Sequence, residues 1–211
     1  RRVGWTGCYY NTLYDKMQTI DKINPELISM LDNWTDWFDN QNYGSLVTDE
    51  RRHGEHDIDY YCGDDYLHSV MYNDSNHKGP PEYAKVTDFH NTHGIPDELR
   101  TKSLELSTEL GDWLGTKYTA VHVLYPVGGF MSWHNNWDCP GYNILLTRSD
   151  GQGFFRYLEH GKVKTIDDDI GWQAKVGYYG GPDNPYWHCA GSRGVRETIG
   201  FVTPNQAMWE M

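Results

Sequence analysis

The chain has no long apolar run. Its longest stretches, such as Val121 to Tyr125 and residues 144–146, span only a few residues. A membrane-spanning helix needs about 20, and no signal-peptide pattern is visible either. The first residues, Arg1-Arg2, include no methionine, which leaves a trimmed leader open. Basic residues are scarce: 18 Lys and Arg stand against 30 Asp and Glu, for a net charge of −12 and a pI near 5.1. Such a surface repels polyanions, so non-specific nucleic-acid binding is disfavoured and a small or cationic substrate is easier to accept. Cysteine is sparse too. Cys8, Cys62, Cys139 and Cys189 form no C-x-x-C pair, a pattern that favours reduced thiols in a cytoplasm over a disulfide scaffold. No internal repeat or low-complexity tract interrupts the 211 residues.

Aromatics are plentiful, with 9 Trp and 16 Tyr. Large core side chains in a β-rich fold explain them; a stacking surface for a ring or a sugar is the sharper alternative. The length suits one integrated domain, and the chain changes character near residue 116. Asn24-Pro25-Glu26 opens a run through Leu27, Met30, Leu31, Trp34, Trp37 and Phe38 whose spacing is helical. A second helix is expected from Pro96 to Leu114, stopped by Gly115. Residues 39–94, rich in Asp, Asn, Gly, His and Tyr, read as long loops. Residues 1–115 are therefore expected to be a helical, loop-rich region that packs on a core and supplies a substrate lid.

Residues 116–211 read as strand and turn. Strands are expected at 118–125, 130–133, 142–148, 154–158, 162–166, 174–179 and 198–203, separated by Gly- and Pro-containing turns. Seven short strands at this spacing predict a sandwich or jelly-roll barrel. Within it, His134 follows a strand, His188 comes after the Gly180-Gly181-Pro182 turn, and Arg196 opens the last strand. A jelly roll can gather such strand ends at one open end. Two imidazoles there could hold a divalent iron and leave other positions free, while Arg196 offers a fixed fork to a carboxylate.

The series Tyr125…Gly129…His134…His188…Arg196, ending in Gly200-Phe201-Val202, resembles the Fe(II)/2-oxoglutarate-dependent oxygenases. Trp133-His134-Asn135-Asn136, Gly153-Phe154-Phe155-Arg156-Tyr157 and Trp187-His188-Cys189 look most like the oxygenase-like proteins of tailed phages. The resemblance covers residues 118–203. It implies a double-stranded β-helix (a cupin-like jelly roll), Fe(II) and 2-oxoglutarate as cofactors, and His134 and His188 as metal ligands. Arg196, helped by Tyr125, Tyr142 or Asn143, would hold the cosubstrate. The implied reaction is hydroxylation of a C–H bond in a small molecule, amino acid or side chain, with succinate and CO2 as co-products.

The family's carboxylate ligand falls on Asn136, which supplies only a neutral amide oxygen. Three models stay open: water as the third ligand with Asn136 orienting it, as in the aspartyl/asparaginyl β-hydroxylases, which is preferred; Asp138 swung back onto the metal; or the Asn136 amide oxygen itself. A halide in the vacant place would make a halogenase variant, against which the bulk of Asn136 counts. Arg193 is the fallback for Arg196. Cys189, adjacent to His188, is expected to face the opposite side of its strand. The stretch His53-Gly54-Glu55-His56-Asp57, together with His90 and His93, reads as solvated loop, and Asp167-Asp168-Asp169 as an exposed turn. A non-catalytic carbohydrate-binding jelly roll is the rival from another class, and a metal-dependent cupin isomerase a third reading.

Overall fold

The computed structural model describes residues 17–43, 45–49, 53–72, 77–116 and 118–203. Cys8 lies outside them. Among the described residues, four helices and eleven strands follow in the order β1 (Gln18–Ile20), α1 (Pro25–Asp39), α2 (Ile58–Tyr61), α3 (Asp64–Tyr72), β2 (Ala84–Lys85), β3 (Thr87–Asp88) and α4 (Asp97–Leu114). Then come β4 (Tyr118–Tyr125), β5 (Gly129–His134), β6 (Gly141–Asp150), β7 (Gly153–Glu159), β8 (Lys162–Asp167), β9 (Ile170–Tyr179), β10 (His188–Ser192) and β11 (Arg196–Thr203).

The strands form two antiparallel sheets, ordered β1-β9-β6-β11-β4-β3 and β2-β5-β10-β7-β8. Side chains of both sheets meet in one apolar cluster that includes Val123, Tyr125, Leu145, Phe155, Tyr179 and Ala190. The two sheets therefore pack face to face, as in a β-sandwich or jelly roll. Period-two alternation assigns the other faces. On β6, Ile144 and Leu146 point away from Leu145 and join Leu27, Leu31, Leu99, Leu106 and Leu110 of α1 and α4. On the smaller sheet, Phe130, Trp133 and Cys189 pack outward against Ile58, Tyr61, Tyr66 and Leu67 of α2 and α3.

The two long helices begin and end as the sequence signals demand. Asn24 caps α1, its side chain accepting the Glu26 amide at 2.9 Å. Gly115 stops α4 in the left-handed conformation at φ 61°, where a Cβ would be strained. Residues 39–94 depart from the loop expectation. Asp57 caps α2 by accepting from the amides of Asp59 and Tyr60, and Asp64 and Asp65 put negative charge at the favourable end of α3. The acidic, Tyr-rich composition that read as loop is partly helix start and partly helix–sheet interface. The N-terminal region also supplies strands, since β1 pairs with β9, β2 with β5 and β3 with β4.

The aromatic surplus is largely internal. Trp34, Phe89, Trp133, Tyr61, Tyr66, Tyr179, Tyr186 and Trp187 are all buried, while the exposed Tyr60, Tyr72, Trp113 and Tyr118 sit on four different elements.

Candidate metal and anion site

Strands β5 and β10 pair antiparallel with His134 opposite His188. The register shifts between His188 and Ala190, so that Ser132 and Trp133 together oppose Cys189. This bulge resets the alternation of β5, letting Met131 and His134 both face inward although they stand three positions apart. The imidazole centroids end 4.2 Å apart, and both rings are almost fully buried.

Each ring is held the same way. The Nδ1 atom of His134 lies 2.7 Å from the Ser132 carbonyl, and that of His188 lies 2.8 Å from the Tyr186 carbonyl. A carbonyl oxygen can only accept, so Nδ1 carries the proton in both rings and Nε2 presents a lone pair. Burial pulls both pKa values down, with His134 well below its ordinary value and His188 at about 4; the neighbouring His188 lowers His134 further. Both imidazoles are therefore neutral near pH 7. Neutral rings whose second nitrogen is tied to a backbone carbonyl are the form in which histidine binds a metal.

The two histidines line a narrow cavity of about 70 Å³ between the sheets, together with Tyr125, Asn136, Asn143 and Arg196. Asn136 thus shares the space of the histidine pair, whereas Asp138 is exposed in the following turn. Among the described residues, no group of three or more His, Cys, Asp or Glu side chains could hold a metal ion. Asn143 also donates to the Gly141 carbonyl at 3.0 Å.

Arg196 is buried on the same side of β11, with its guanidinium 4.8 Å from the Tyr125 ring centroid. Nε donates to Asp168 Oδ2 at 2.7 Å and Nη1 to Thr198 Oγ1 at 2.7 Å, but Nη2 has no hydrogen-bond partner. A buried guanidinium nitrogen without an acceptor is costly, and it belongs to a side chain lining the cavity. Arg193, by contrast, is exposed and paired with Asp59. Burial pushes the Tyr125 phenol up to about 12, so it stays a neutral donor.

Two residues of this region escape a reading of the sequence. Asp168 was expected in an exposed turn; it is buried, because Arg196 and Lys175 both converge on it. Only its neighbours Asp167 and Asp169 face solvent. Lys175, fully buried on β9, donates to Asp168 Oδ1 at 2.7 Å and to Gln173 Oε1 at 3.0 Å. The cations outweigh the burial cost and hold the Asp168 carboxyl below its ordinary pKa. A hint existed in the alternation of β9, which places Lys175 on the face of Gln173 and Tyr179.

Other histidines are accounted for outside this cavity. His53 Nε2 lies 2.8 Å from Thr48 Oγ1, and the half-buried His90 lies 3.5 Å from Ser107 Oγ. His122 is buried between Ser103 and Glu197 on the helix side of β4. Cys189 faces α2 and α3, away from the histidines.

The donor set suits a divalent metal and a small anion: two neutral imidazole nitrogens at one part of the cavity and an unfilled guanidinium nitrogen at another. The class defined is an antiparallel β-sandwich with a buried two-histidine, one-arginine cavity. No family model and no curated protein sequence matches the chain. Among solved structures, it aligns with a Pseudomonas putida prolyl-4-hydroxylase at 12% identity, covering 90% of this chain and 94% of that one, with a TM-score of 0.40. It also aligns with YcfD, a ribosomal oxygenase from Escherichia coli in complex with cobalt and succinic acid, at 13% identity and a TM-score of 0.32, covering 83% of this chain and 53% of that one.

Proposed function

We propose that the protein is an Fe(II)- and 2-oxoglutarate-dependent oxygenase that hydroxylates a C–H bond of a small molecule, an amino acid or a side chain. The observation that carries this reading is the pairing, in one cavity, of two Nδ1-protonated histidines with a buried arginine that retains a free donor. The strand order supports it. Counted from β4, one sheet takes β4, β6, β9 and β11 and the other takes β5, β7, β8 and β10, an order that a double-stranded β-helix would have.

In this reading, His134 and His188 bind Fe(II) through Nε2, and Asn136 orients a water at the third position. Iron and 2-oxoglutarate together supply O2 activation and C–H oxidation, releasing succinate and CO2. The chain supplies binding, orientation and exclusion of water. Arg196 Nη2 meets the distal carboxylate, Tyr125 and Asn143 offer further polar contacts, and Phe155, Leu145 and Val121 keep the cavity dry.

The test is an anaerobic titration of the metal-free protein with Fe(II) and then 2-oxoglutarate. A one-to-one iron stoichiometry and a visible charge-transfer band that needs both components are expected. Absence of the band with His134 and His188 intact overturns the reading.

A further inference from the structure

Arg196, Lys175 and Asp168 form a group that one canonical carboxylate contact does not explain. All three side chains are 0–1% exposed. Two cations share a single carboxylate, and both of its oxygens are already used, Oδ1 by Lys175 and Oδ2 by Arg196. Asp168 is further fixed by its amide, which donates to the Gly153 carbonyl at 2.9 Å. Exposed Asp169 also acts on Lys175, but solvent screens it. The buried group is thus left with one positive charge in excess, and its unpartnered donor, Arg196 Nη2, belongs to the residue that lines the cavity. Burying an uncompensated charge is expensive. An anion entering the cavity removes that cost.

We propose that Lys175 is a specificity-determining residue, whose charge makes the Arg196 end of this cavity require a carboxylate rather than an uncharged polar group. Without Lys175, the Arg196–Asp168 pair would be neutral and would offer a ligand only hydrogen bonds. With Lys175 in place, a distal carboxylate neutralises the group, and an uncharged chain end of equal length does not. Lys175 does not line the cavity; it acts through Asp168, by cancelling the charge that would otherwise compete with the ligand for Arg196. The proposal rests on the oxygenase reading only for the identity of the acid, 2-oxoglutarate.

The experiment uses the metal-free protein and two five-carbon probes, glutarate and its uncharged diamide, with binding read by calorimetry and thermal shift. The wild type is expected to bind glutarate at least tenfold more tightly than the diamide. Lys175→Gln can still donate to Asp168 but lacks the charge; it should weaken glutarate binding at least tenfold and leave the diamide unchanged. Lys175→Arg should keep glutarate affinity within about threefold. Equal loss of both probes in Lys175→Gln marks a merely structural role and overturns the proposal, as does equal binding of both by the wild type. Should Lys175→Gln not fold, Lys175→Arg decides, because loss of the glutarate preference there overturns the proposal too. Lys175-dependent glutarate binding without Fe(II) uptake defeats the oxygenase reading and leaves the anion site standing. Fe(II) uptake that needs both histidines, without this selectivity, does the reverse.

Discussion

His134 and His188 face each other across two antiparallel strands, and each gives its Nδ1 proton to the carbonyl two residues before it. The shared tether leaves two Nε2 lone pairs and no spare proton. Replacing either ring by alanine is expected to abolish stoichiometric Fe(II) binding, measured by metal analysis after gel filtration, with far-ultraviolet circular dichroism unchanged. Retained tight binding in both variants would count against the proposed site.

Asn136 and Asp138 separate the models of the third ligand. Asn136 lines the cavity and Asp138 does not. Asp138→Ala is expected to leave iron affinity within a few-fold. Asn136→Asp should hold or tighten it, since a carboxylate adds charge that an amide lacks. A loss well beyond the 10–100-fold typical of outer partners on removing Asp138 would instead make it a ligand.

Arg196 can be tested without emptying its place. Arg196→Lys keeps a cation beside Asp168 but loses the planar fork, and a lost charge-assisted contact costs roughly 1.5–3 kcal/mol. The Kd for 2-oxoglutarate should rise at least tenfold by calorimetry. Arg193→Ala, at an exposed ion pair with Asp59, should leave it unchanged. The opposite pattern would move the cosubstrate contact to the β10–β11 turn.

Gly153 is tight for a steric reason. A Cβ there would sit 2.3 Å from Asp168 Oδ2 and 2.9 Å from Arg196 Cδ. Gly153→Ala is expected to destabilise the fold by about 1–3 kcal/mol, read from urea midpoints, and to weaken glutarate binding as the ion pair is displaced. An unchanged midpoint would mean that the pair gives way freely.

Acid should unfold the protein through two buried carboxylates, beside the two buried neutral histidines, whose contribution is lost as pH falls below 6.5. For Asp168 and Glu197, burial alone would raise the pKa, but their cationic and hydrogen-bonding partners outweigh it and hold both below the ordinary values of 3.8 and 4.5. A depressed folded pKa means the unfolded chain takes up protons first. Their contribution is therefore complete above pH 4.5 and is lost as pH falls through the folded values. Urea midpoints measured from pH 6 down to 3 should fall, and Glu197→Gln should flatten part of that slope. A slope identical to wild type would remove Glu197 from the account.

The sequence was most legible where one residue type suffices. Asn24-Pro25, Gly115 and the alternating run at Tyr118–Tyr125 mark their elements through local backbone preferences. His134, His188 and Arg196 stand out by order along the chain. β10 was harder, because His-Cys-Ala-Gly-Ser carries no β-branched residue and is a strand only through its neighbours β5 and β7. Lys175 and Asp168 were hidden for a different reason. A lysine and a charged triplet each read as solvated, and they become interior only by meeting each other and Arg196, 28 positions from Asp168. Asp138 stands four positions from His134 and yet does not line the cavity.

Strand β11 keeps opposite charges on its two sides. Arg196 points to the cavity, while its neighbour Glu197 points to the helices and receives Trp34, His122 and Arg148. Pairing on both flanks, with β4 and β6, fixes where the strand lies along its length. A slide by one residue would send the guanidinium into the leucines of α1 and α4, and the carboxylate toward the histidines. A one-residue insertion or deletion in this strand thus exchanges two ionic networks at once.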